Sequence, residues 1–296
     1  MIRRALALVA VLGCVVALVP VLGPAPGRAG SAAPKVAAGR VHGTFQPRRG
    51  KLFVLVIGSD ARAGNPNTRA DAIHIVGLDT RTMRGGILNF PRDSWVSIPG
   101  HGQGRINEAL YRGGPTLLAR TLESITGIRL DYWVMTGFTG FQRIIQRVGP
   151  VRFTLHRRIH DPTGSGADLS PGEQRLGPRQ ALAFVRTRHS FPRGDVDRTT
   201  NQARFLLALL RKLRREVDRR PHELFRWIAA TKEHTRLDMT PEELFRLGVL
   251  TTQVRPDDVG NVTVPVSVGS VGAASVVFIS PGAQSIYRRF RARARL

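Results

Sequence analysis

Three short apolar runs lie within about sixty residues, and each ends in charge. Leu52–Ile57 breaks at Gly58-Ser59-Asp60-Ala61-Arg62. Ile73–Leu78 follows Arg69 and Asp71, and Gly86–Phe90 ends at Pro91-Arg92-Asp93. Arg105, Asn107 and Tyr111 close the segment. Runs of this length bounded by turn residues read as buried strands. Ligands of open α/β sheets sit where strands end, so the Asp and Arg clusters are expected to meet in space. A site for a phosphate-rich substrate and one metal ion is the reading that follows.

Downstream, strand and helix patterns alternate. Helical spacing starts at Gly114-Pro115-Thr116, runs through Leu117, Leu118, Leu122 and Ile125, and stops at Gly127. Asp131–Met135 and the alternating Val151–Leu155 read as strands, with a helix over Phe138–Val148 between them. Asp161–Gly172 reads as a loop, Pro178–Phe184 as a short helix with proline in its first turn, and Thr199–Val217 as a long one. Helices near 221–231 and 241–249 and strands over 262–268 and 276–279 follow. The basic stretch from Arg288 to Arg295 is expected to fray. Interleaving of this kind predicts a three-layer α/β/α domain around a central mixed sheet.

The ends of the chain read differently. Arg3 and Arg4 precede the uncharged, mostly apolar run Ala5–Gly23, which is long enough to span a bilayer as a helix. Positive flanking charge places the N-terminus in the cytoplasm and the rest outside. A cleaved signal peptide, or a lipoprotein signal with Val11-Leu12-Gly13-Cys14 as its lipobox, is the alternative. The expected organisation is therefore a signal-anchor helix over 1–23, a Pro/Gly/Ala-rich flexible tether over 24–50, and a domain over 51–296. Cys14 is the single cysteine, so the domain has no disulfide, no thiolate metal site and no cysteine nucleophile.

A formal charge of +24 over 296 residues, mostly from arginine, speaks to partners and not to fold. Nucleic acid, an anionic membrane and an acidic polymer outside the cell all attract such a chain. No helix-turn-helix, zinc-finger or aromatic RNA-binding pattern is present, so nucleic acid is set aside. G-x-S-x-G and Walker A patterns are absent too, which removes the common acyl-transfer and nucleotide-hydrolysis templates.

Asp60 and Asp71 suit Mg²⁺ (or Mn²⁺), which takes one or two carboxylates and completes its shell with water and substrate phosphates. Arg62, Arg69 and Arg92 offer bidentate contacts to phosphate oxygens. Arg186 and Arg188 are two apart and share a direction if extended. Arg198 and Gln202 are four apart and share a helix face. Taken singly, each charge is most simply a solvated surface group. His156 and His160 share strand spacing, with Asp161 next to them, but the flanking Arg157 and Arg158 repel a cation, so they read as structural or surface residues.

In order, these motifs resemble the LytR-CpsA-Psr family of cell-envelope proteins. They are Gly58-Ser59-Asp60-Ala61-Arg62, Arg69-Ala70-Asp71-Ala72, Pro91-Arg92-Asp93 and Arg105-Ile106-Asn107-Glu108-Ala109-Leu110-Tyr111. Gly172 through Arg186-Thr187-Arg188-His189 follows, then Asp195-Val196-Asp197-Arg198-Thr199-Thr200-Asn201-Gln202. The likeness covers roughly Leu52–Leu213 and the N-terminal anchor. Ala72 stands for the family's Thr, Arg105 for Lys, Leu110 for Ala, Pro178 for Gly and Asn201 for Arg.

The resemblance implies a phosphotransferase facing outward from the cell membrane. It would move a glycopolymer from a polyprenyl-diphosphate carrier onto peptidoglycan. Asp60 and Asp71 would hold Mg²⁺, and Arg62, Arg69, Arg92, Arg105, Arg186, Arg188, Arg198 and Gln202 would grip the diphosphate. Phe138, Phe141, Ile144, Ile145, Phe205 and Leu209 would wall a tunnel for the lipid tail, and Asp93 would be a base. Two other readings stand beside it: a polyprenyl-diphosphate pyrophosphatase, and a non-catalytic tethered scaffold that binds anionic wall polymer.

Overall fold

In this computed structural model the described residues are 50–60, 68–233 and 240–296, with the backbone course alone of 36–40 and 235–237. The expected anchor over 1–23 and Arg62 lie outside them. Among the described residues no helix is long and apolar enough to cross a membrane.

The chain runs β1 (Val36–Arg40), β2 (Lys51–Ser59), β3 (Ala70–Asp79), β4 (Arg84–Asn89), then a small hairpin of β5 (Trp95–Ile98) and β6 (Gly102–Arg105). α1 (Glu108–Thr126), β7 (Tyr132–Thr136) and α2 (Phe138–Val148) follow. Next come β8 (Val151–Leu155), β9 (Ile159–Asp161), β10 (Ala167–Leu169), β11 (Gly172–Leu176), α3 (Pro178–Arg186) and α4 (Asp195–Arg219). The chain closes with α5 (Glu223–Lys232), β12 (Thr235–Leu237), α6 (Pro241–Gln253), β13 (Val259–Thr263), β14 (Val266–Val271), β15 (Ala274–Ile279) and α7 (Ala283–Arg293).

Seven strands form the central sheet in the order β12-β1-β7-β2-β3-β4-β13. It is mixed: β2 pairs antiparallel with β3 and parallel with β7, and β4 pairs antiparallel with β3 and parallel with β13. The sheet begins earlier than the sequence pattern indicates, because β1 lies in the stretch expected as a tether and pairs with both β7 and β12. A five-residue strand without strong apolar alternation, VAAGR, gives no signal of its own.

Alternation along β2 and β3 sorts the core into two layers. Phe53, Leu55, Ile57, Ile73 and Ile75 pack with Leu118 and Leu122 of α1 and with Tyr287 and Phe290 of α7. Leu52, Val54, Leu78 and Val76 turn to the opposite face, toward Leu206, Leu207 and Leu210 of α4 and Leu247 and Leu250 of α6. A satellite core joins β8 to α3 and α4 through Phe153, Phe184 and Phe205. α1 ends where expected, at Gly127, whose φ of 64° suits the left-handed helix stop. Asp161–Gly172, expected as a loop, instead folds as the small hairpin β9–β10.

The basic C-terminus does not fray. Arg288–Arg293 is the last part of α7, whose apolar side is seated on the sheet. Tyr287 and Phe290 are fully buried, and the Phe290 ring meets Phe53 edge-on at 5.4 Å between centroids. Two glycines make room: Gly77 and Gly86 are cross-strand partners, and a Cβ on Gly77 would lie 2.6 Å from the Phe290 ring. Charge density on the exposed face of the helix hid the two aromatic anchors in the sequence.

Phe290→Ala is therefore expected to lower unfolding free energy by about 3–5 kcal/mol, as large-to-small core changes do. Arg289→Ala, on the exposed face of the same helix, should shift it by less than about 0.5 kcal/mol. Urea unfolding of both variants checks this; a frayed tail would give two equally small effects.

Candidate functional site

The site forms where β2 ends and β3 begins. Register between the two strands slips there: Gly58 faces Ala72, but Ser59 faces Ala70, so Asp71 is the extra residue of a β-bulge. In unbroken alternation Asp71 would share the face of Ile73 and point into the α1 layer. The bulge re-aims it, and it lines the opposite cleft beside Ala72 and His74. Asp60, just past the end of β2, is tied to Arg69 twice over. Its N–H donates to the Arg69 carbonyl at 3.1 Å, and its carboxylate accepts from the Arg69 N–H at 2.6 Å. The two aspartates thus flank one strand junction, while the Arg69 side chain is exposed.

Arg92, in the turn after β4, donates to the Asp71 carboxylate at 2.5 Å. Its Nε lies 3.6 Å from Asp93 and 3.7 Å from Asp195. Burial works against its charge, but Asp71 first and then Asp93 and Asp195 outweigh burial, so the Arg92 pKa is raised. Asp93 stands between Arg92 and Arg105 at 3.6 and 3.7 Å, as the hub of two ion pairs. Arg105 also donates to the Ser275 carbonyl at 2.8 Å, fastening the β14–β15 hairpin beside the site.

α4 supplies the remaining wall. Arg198 and Gln202, one turn apart, donate to the Asp71 backbone carbonyl at 3.2 and 3.4 Å, as their shared face leads one to expect. Gln202 also reaches the Val185 carbonyl at 3.0 Å. Arg198 is buried and paired with Asp195 at 2.5 Å, three residues earlier on the helix. Burial raises the pKa of Asp195, and Arg198 and Arg92 oppose that rise.

Arg186 and Arg188 do not run in one extended strand. α3 continues to Arg186, whose guanidinium lies 4.7 Å from the centre of the Phe138 ring in the cleft. Arg188 is exposed and donates from Nε to His189 Nε2 at 3.2 Å. The buried carboxylate of Asp161 holds His189 Nδ1 at 3.0 Å. With Nδ1–H facing a carboxylate, Nε2 keeps the lone pair that Arg188 needs.

Behind this charged edge lies a cleft with roughly 650 Å³ of empty space, lined by Val56, Phe138, Phe141, Leu182, Phe205 and Leu206, with Asp71, Arg186, Arg198 and Gln202 among its lining. Three of the six expected lipid-wall residues, Phe138, Phe141 and Phe205, line it. The other three do not. Ile145 is fully buried in the satellite core, Leu209 packs against that core, and Ile144 is half-buried away from the cleft. On α2 the helical period puts 138, 141 and 145 on one side, so Ile145 differs by its place further along the helix, while 144 turns away from that side.

Three partners went unread in the sequence. His74 lies at the floor of the cleft, fully buried, with Nδ1 2.8 Å from Asn89 Oδ1, its cross-strand partner. Asn89 donates onward to Asn261 Oδ1 at 2.6 Å and to the Val262 carbonyl at 3.1 Å. A histidine and an asparagine within apolar strands were the available signal. The other two are Asp195 and the Asp161–His189 pair. Of the residues His156, His160 and Asp161, Asp161 pairs with His189 and His160 with Asp168.

The donor chemistry fits a hard cation in one respect. Asp60 and Asp71 are two carboxylates at one junction, the donor type Mg²⁺ takes, and here one accepts from the Arg69 N–H and the other from Arg92. Among the described residues no group of three or more His, Cys, Asp or Glu forms an all-protein metal cage.

Comparison with known proteins agrees with the motif reading. The LytR_cpsA_psr family model matches residues 29–288. The chain is 34% identical over 170 residues to a probable cell wall biosynthesis protein, LcpB, of Corynebacterium glutamicum, covering 53% of this chain and 40% of that one. It is 32% identical over 177 residues to the polyisoprenyl-teichoic acid–peptidoglycan teichoic acid transferase TagT of Bacillus subtilis, covering 57% and 54%. The chain thus spans about half the length of the curated relatives it matches. A solved TagT structure with bound octaprenyl pyrophosphate lipid shares the fold at a TM-score of 0.65 and 22% identity, covering 85% of this chain and 93% of that one.

Burial drops the pKa of His74 from 6.5 to about 4, with the hydrogen bond to Asn89 only partly opposing it. The unfolded chain therefore takes up a proton near pH 6.5 and the folded one does not. Stability from this group is complete above that pH and is lost as pH falls toward 4, by about 3 kcal/mol in all. Urea unfolding at a series of pH values should show His74→Gln with a flatter profile than the parent across that window. Parallel profiles would contradict a neutral, buried His74.

Proposed function

Because the chain belongs to the LytR-CpsA-Psr family, as the match over residues 29–288 shows, we propose that it is a glycopolymer phosphotransferase. It moves a glycopolymer from a polyprenyl-diphosphate carrier onto peptidoglycan and works on the outer face of the cell membrane, anchored by its N-terminal segment. The observation that carries this reading is the amphipathic cleft: aromatic walls at Phe138, Phe141 and Phe205 meet an edge of Asp71, Arg186, Arg198 and Gln202. A ligand with a long apolar tail and a diphosphate head matches both halves. The relative TagT is named for transfer of this class, and one of its structures holds a polyprenyl pyrophosphate lipid.

In the reaction, a hydroxyl oxygen of the peptidoglycan acceptor forms a bond to the sugar-linked phosphorus. The bond from that phosphorus to the bridging oxygen breaks, and polyprenyl phosphate leaves with the electron pair. Arg198 is held by Asp195 before substrate arrives, so its charge needs no reorganisation to meet the diphosphate. Arg92 is likewise fixed by three carboxylates. Arg186, resting on Phe138, marks the point where lipid wall meets phosphate. Arg69 and Arg188 are exposed, Arg188 donating to His189, and in this reading both grip the diphosphate, as does Arg62. Asp93 takes the acceptor proton, and its two ion pairs order Arg92 and Arg105. Mg²⁺ or Mn²⁺ bound by Asp60 and Asp71 would further neutralise the diphosphate.

The test uses protein that begins before Val36, so that β1 is kept, with radiolabelled lipid-linked glycan, peptidoglycan fragments and Mg²⁺. Label on the fragments is the expected result, and Asp71→Asn should lower its rate about 100-fold or more, as loss of one preorganised electrostatic group does. Label released only as free glycan phosphate would replace transfer with hydrolysis. Retained lipid binding with no turnover would leave a scaffold.

A further inference from the structure

A second, larger concavity lies on the far flank of α4. It holds about 1050 Å³ of empty space between α4 and the exposed face of β8. Residues two apart on β8 and residues three or four apart on α4 point into one groove. β8 contributes Arg152, His156 follows just past its end, and α4 contributes Arg204, Arg211 and Arg215. Glu173 is the one acidic residue of the lining, and it meets Arg152 at a loose 3.4 Å with both side chains well exposed.

Arg204 is the informative member. It is half-buried, yet among the described residues it has no carboxylate partner. It donates to Asn201 Oδ1 at 3.1 Å and lies 5.4 Å from the centre of the Phe153 ring. Asn201 stands where the family pattern has an arginine, which would repel Arg204. Burial lowers the Arg204 pKa and no acid offsets it, in contrast to Arg92 with its three carboxylates. A cation kept partly out of water without a counter-charge costs stability, unless an anion from outside completes it.

Spacing decides what kind of anion. At 1.5 Å rise per residue, Arg204 and Arg211 lie roughly 10 Å apart along the helix and Arg211 and Arg215 roughly 6 Å. Arg152, near the start of β8, and His156, just past its end, are up to roughly 13 Å apart along the chain. One phosphate spans none of these intervals, whereas a chain with a negative charge at each repeat meets them in turn. A concave groove bounded by a strand and a helix also excludes a flat bilayer surface.

We propose that this groove binds an extended phosphodiester-linked glycan, the anionic chain of the substrate whose diphosphate end occupies the cleft. The identity of the chain rests on the transferase reading; the binding itself does not. The groove and the cleft share α4, but the packed rings of Phe153, Phe184 and Phe205 stand between them. The groove therefore contributes affinity for the polymer and leaves the reacting phosphate untouched.

The experiment measures binding of a fluorescent poly(glycerol phosphate) oligomer to the full chain by anisotropy, with a charge-matched polygalacturonate as second probe. Arg211→Gln/Arg215→Gln, both at exposed positions, should weaken phosphate-polymer binding about tenfold or more, with an unchanged melting temperature and a shallower salt dependence. Arg204→Gln added to the pair should weaken it further. Arg186→Gln, in the cleft and with no ion pair to break among the described residues, should leave binding of this lipid-free probe in place. Undiminished affinity in the double and triple variants overturns the proposal, and so does equal affinity for polygalacturonate. Because the readout is binding, a wild-type protein that fails to transfer glycan but shows this pattern would sink the transferase reading alone.

Discussion

The position of one extra residue governs the site. Strand alternation is strict, so without a bulge the Asp71 carboxylate would enter an apolar layer with Ile73, where an unpaired charge is untenable. With the bulge, the carboxylate meets Arg92 and the carbonyl beside it meets Arg198 and Gln202. The bulge thereby ties β3 to the turn after β4 and to the longest helix at a single residue. Each tie is charge-assisted or half-buried, the setting in which hydrogen bonds count most and losing one partner costs most.

That arrangement makes the arginines rigid before any ligand is bound. Arg198 is buried against Asp195, and Arg92 is ringed by Asp71, Asp93 and Asp195. Removing either cation would leave buried carboxylates uncompensated, so their absence would disturb fold and site together. Arg69 and Arg188 belong to a different class, exposed and loosely held. The site therefore has a fixed inner set and a mobile rim, a division that residue type alone does not reveal.

How much of this could be read in the sequence depends on the range of the signal. Alternation over Leu52–Ile57 and Ile73–Leu78, and helical spacing over Phe138–Val148, are local patterns, and the structure follows them. The one-turn spacing of Arg198 and Gln202 is local too, and both side chains reach the same carbonyl. The failures needed tertiary information. β1 is a strand because β7 and β12 flank it, α7 is fixed because two glycines on the sheet admit Phe290, and Arg186 parts from Arg188 because α3 runs on to its last possible turn. Ile145 and Leu209 were assigned to the cleft for their apolarity, which core and ligand wall share. His74 and Asn89 give no such local signal, because residues fifteen apart in sequence become a pair only through strand register.

α4 shows how one element can serve several surfaces without conflict. Its 3.6-residue period sends Arg198, Gln202 and Phe205 to the cleft, Ala203, Leu207 and Leu210 toward the sheet, and Arg204, Arg211 and Arg215 to the outer groove. The apolar stripe holds the helix in place, and the two polar stripes are presented at a fixed angle to each other because the helix between them is stiff. Substitutions on one polar stripe leave the other stripe's geometry intact so long as the sheet-facing stripe still packs, since the two polar stripes share no direct contact. Under the two proposals, polymer affinity and phosphate chemistry can therefore vary independently on one helix. The departure at Asn201 illustrates it: the residue belongs to a motif of the inner site, and its side chain organises Arg204 on the outer one.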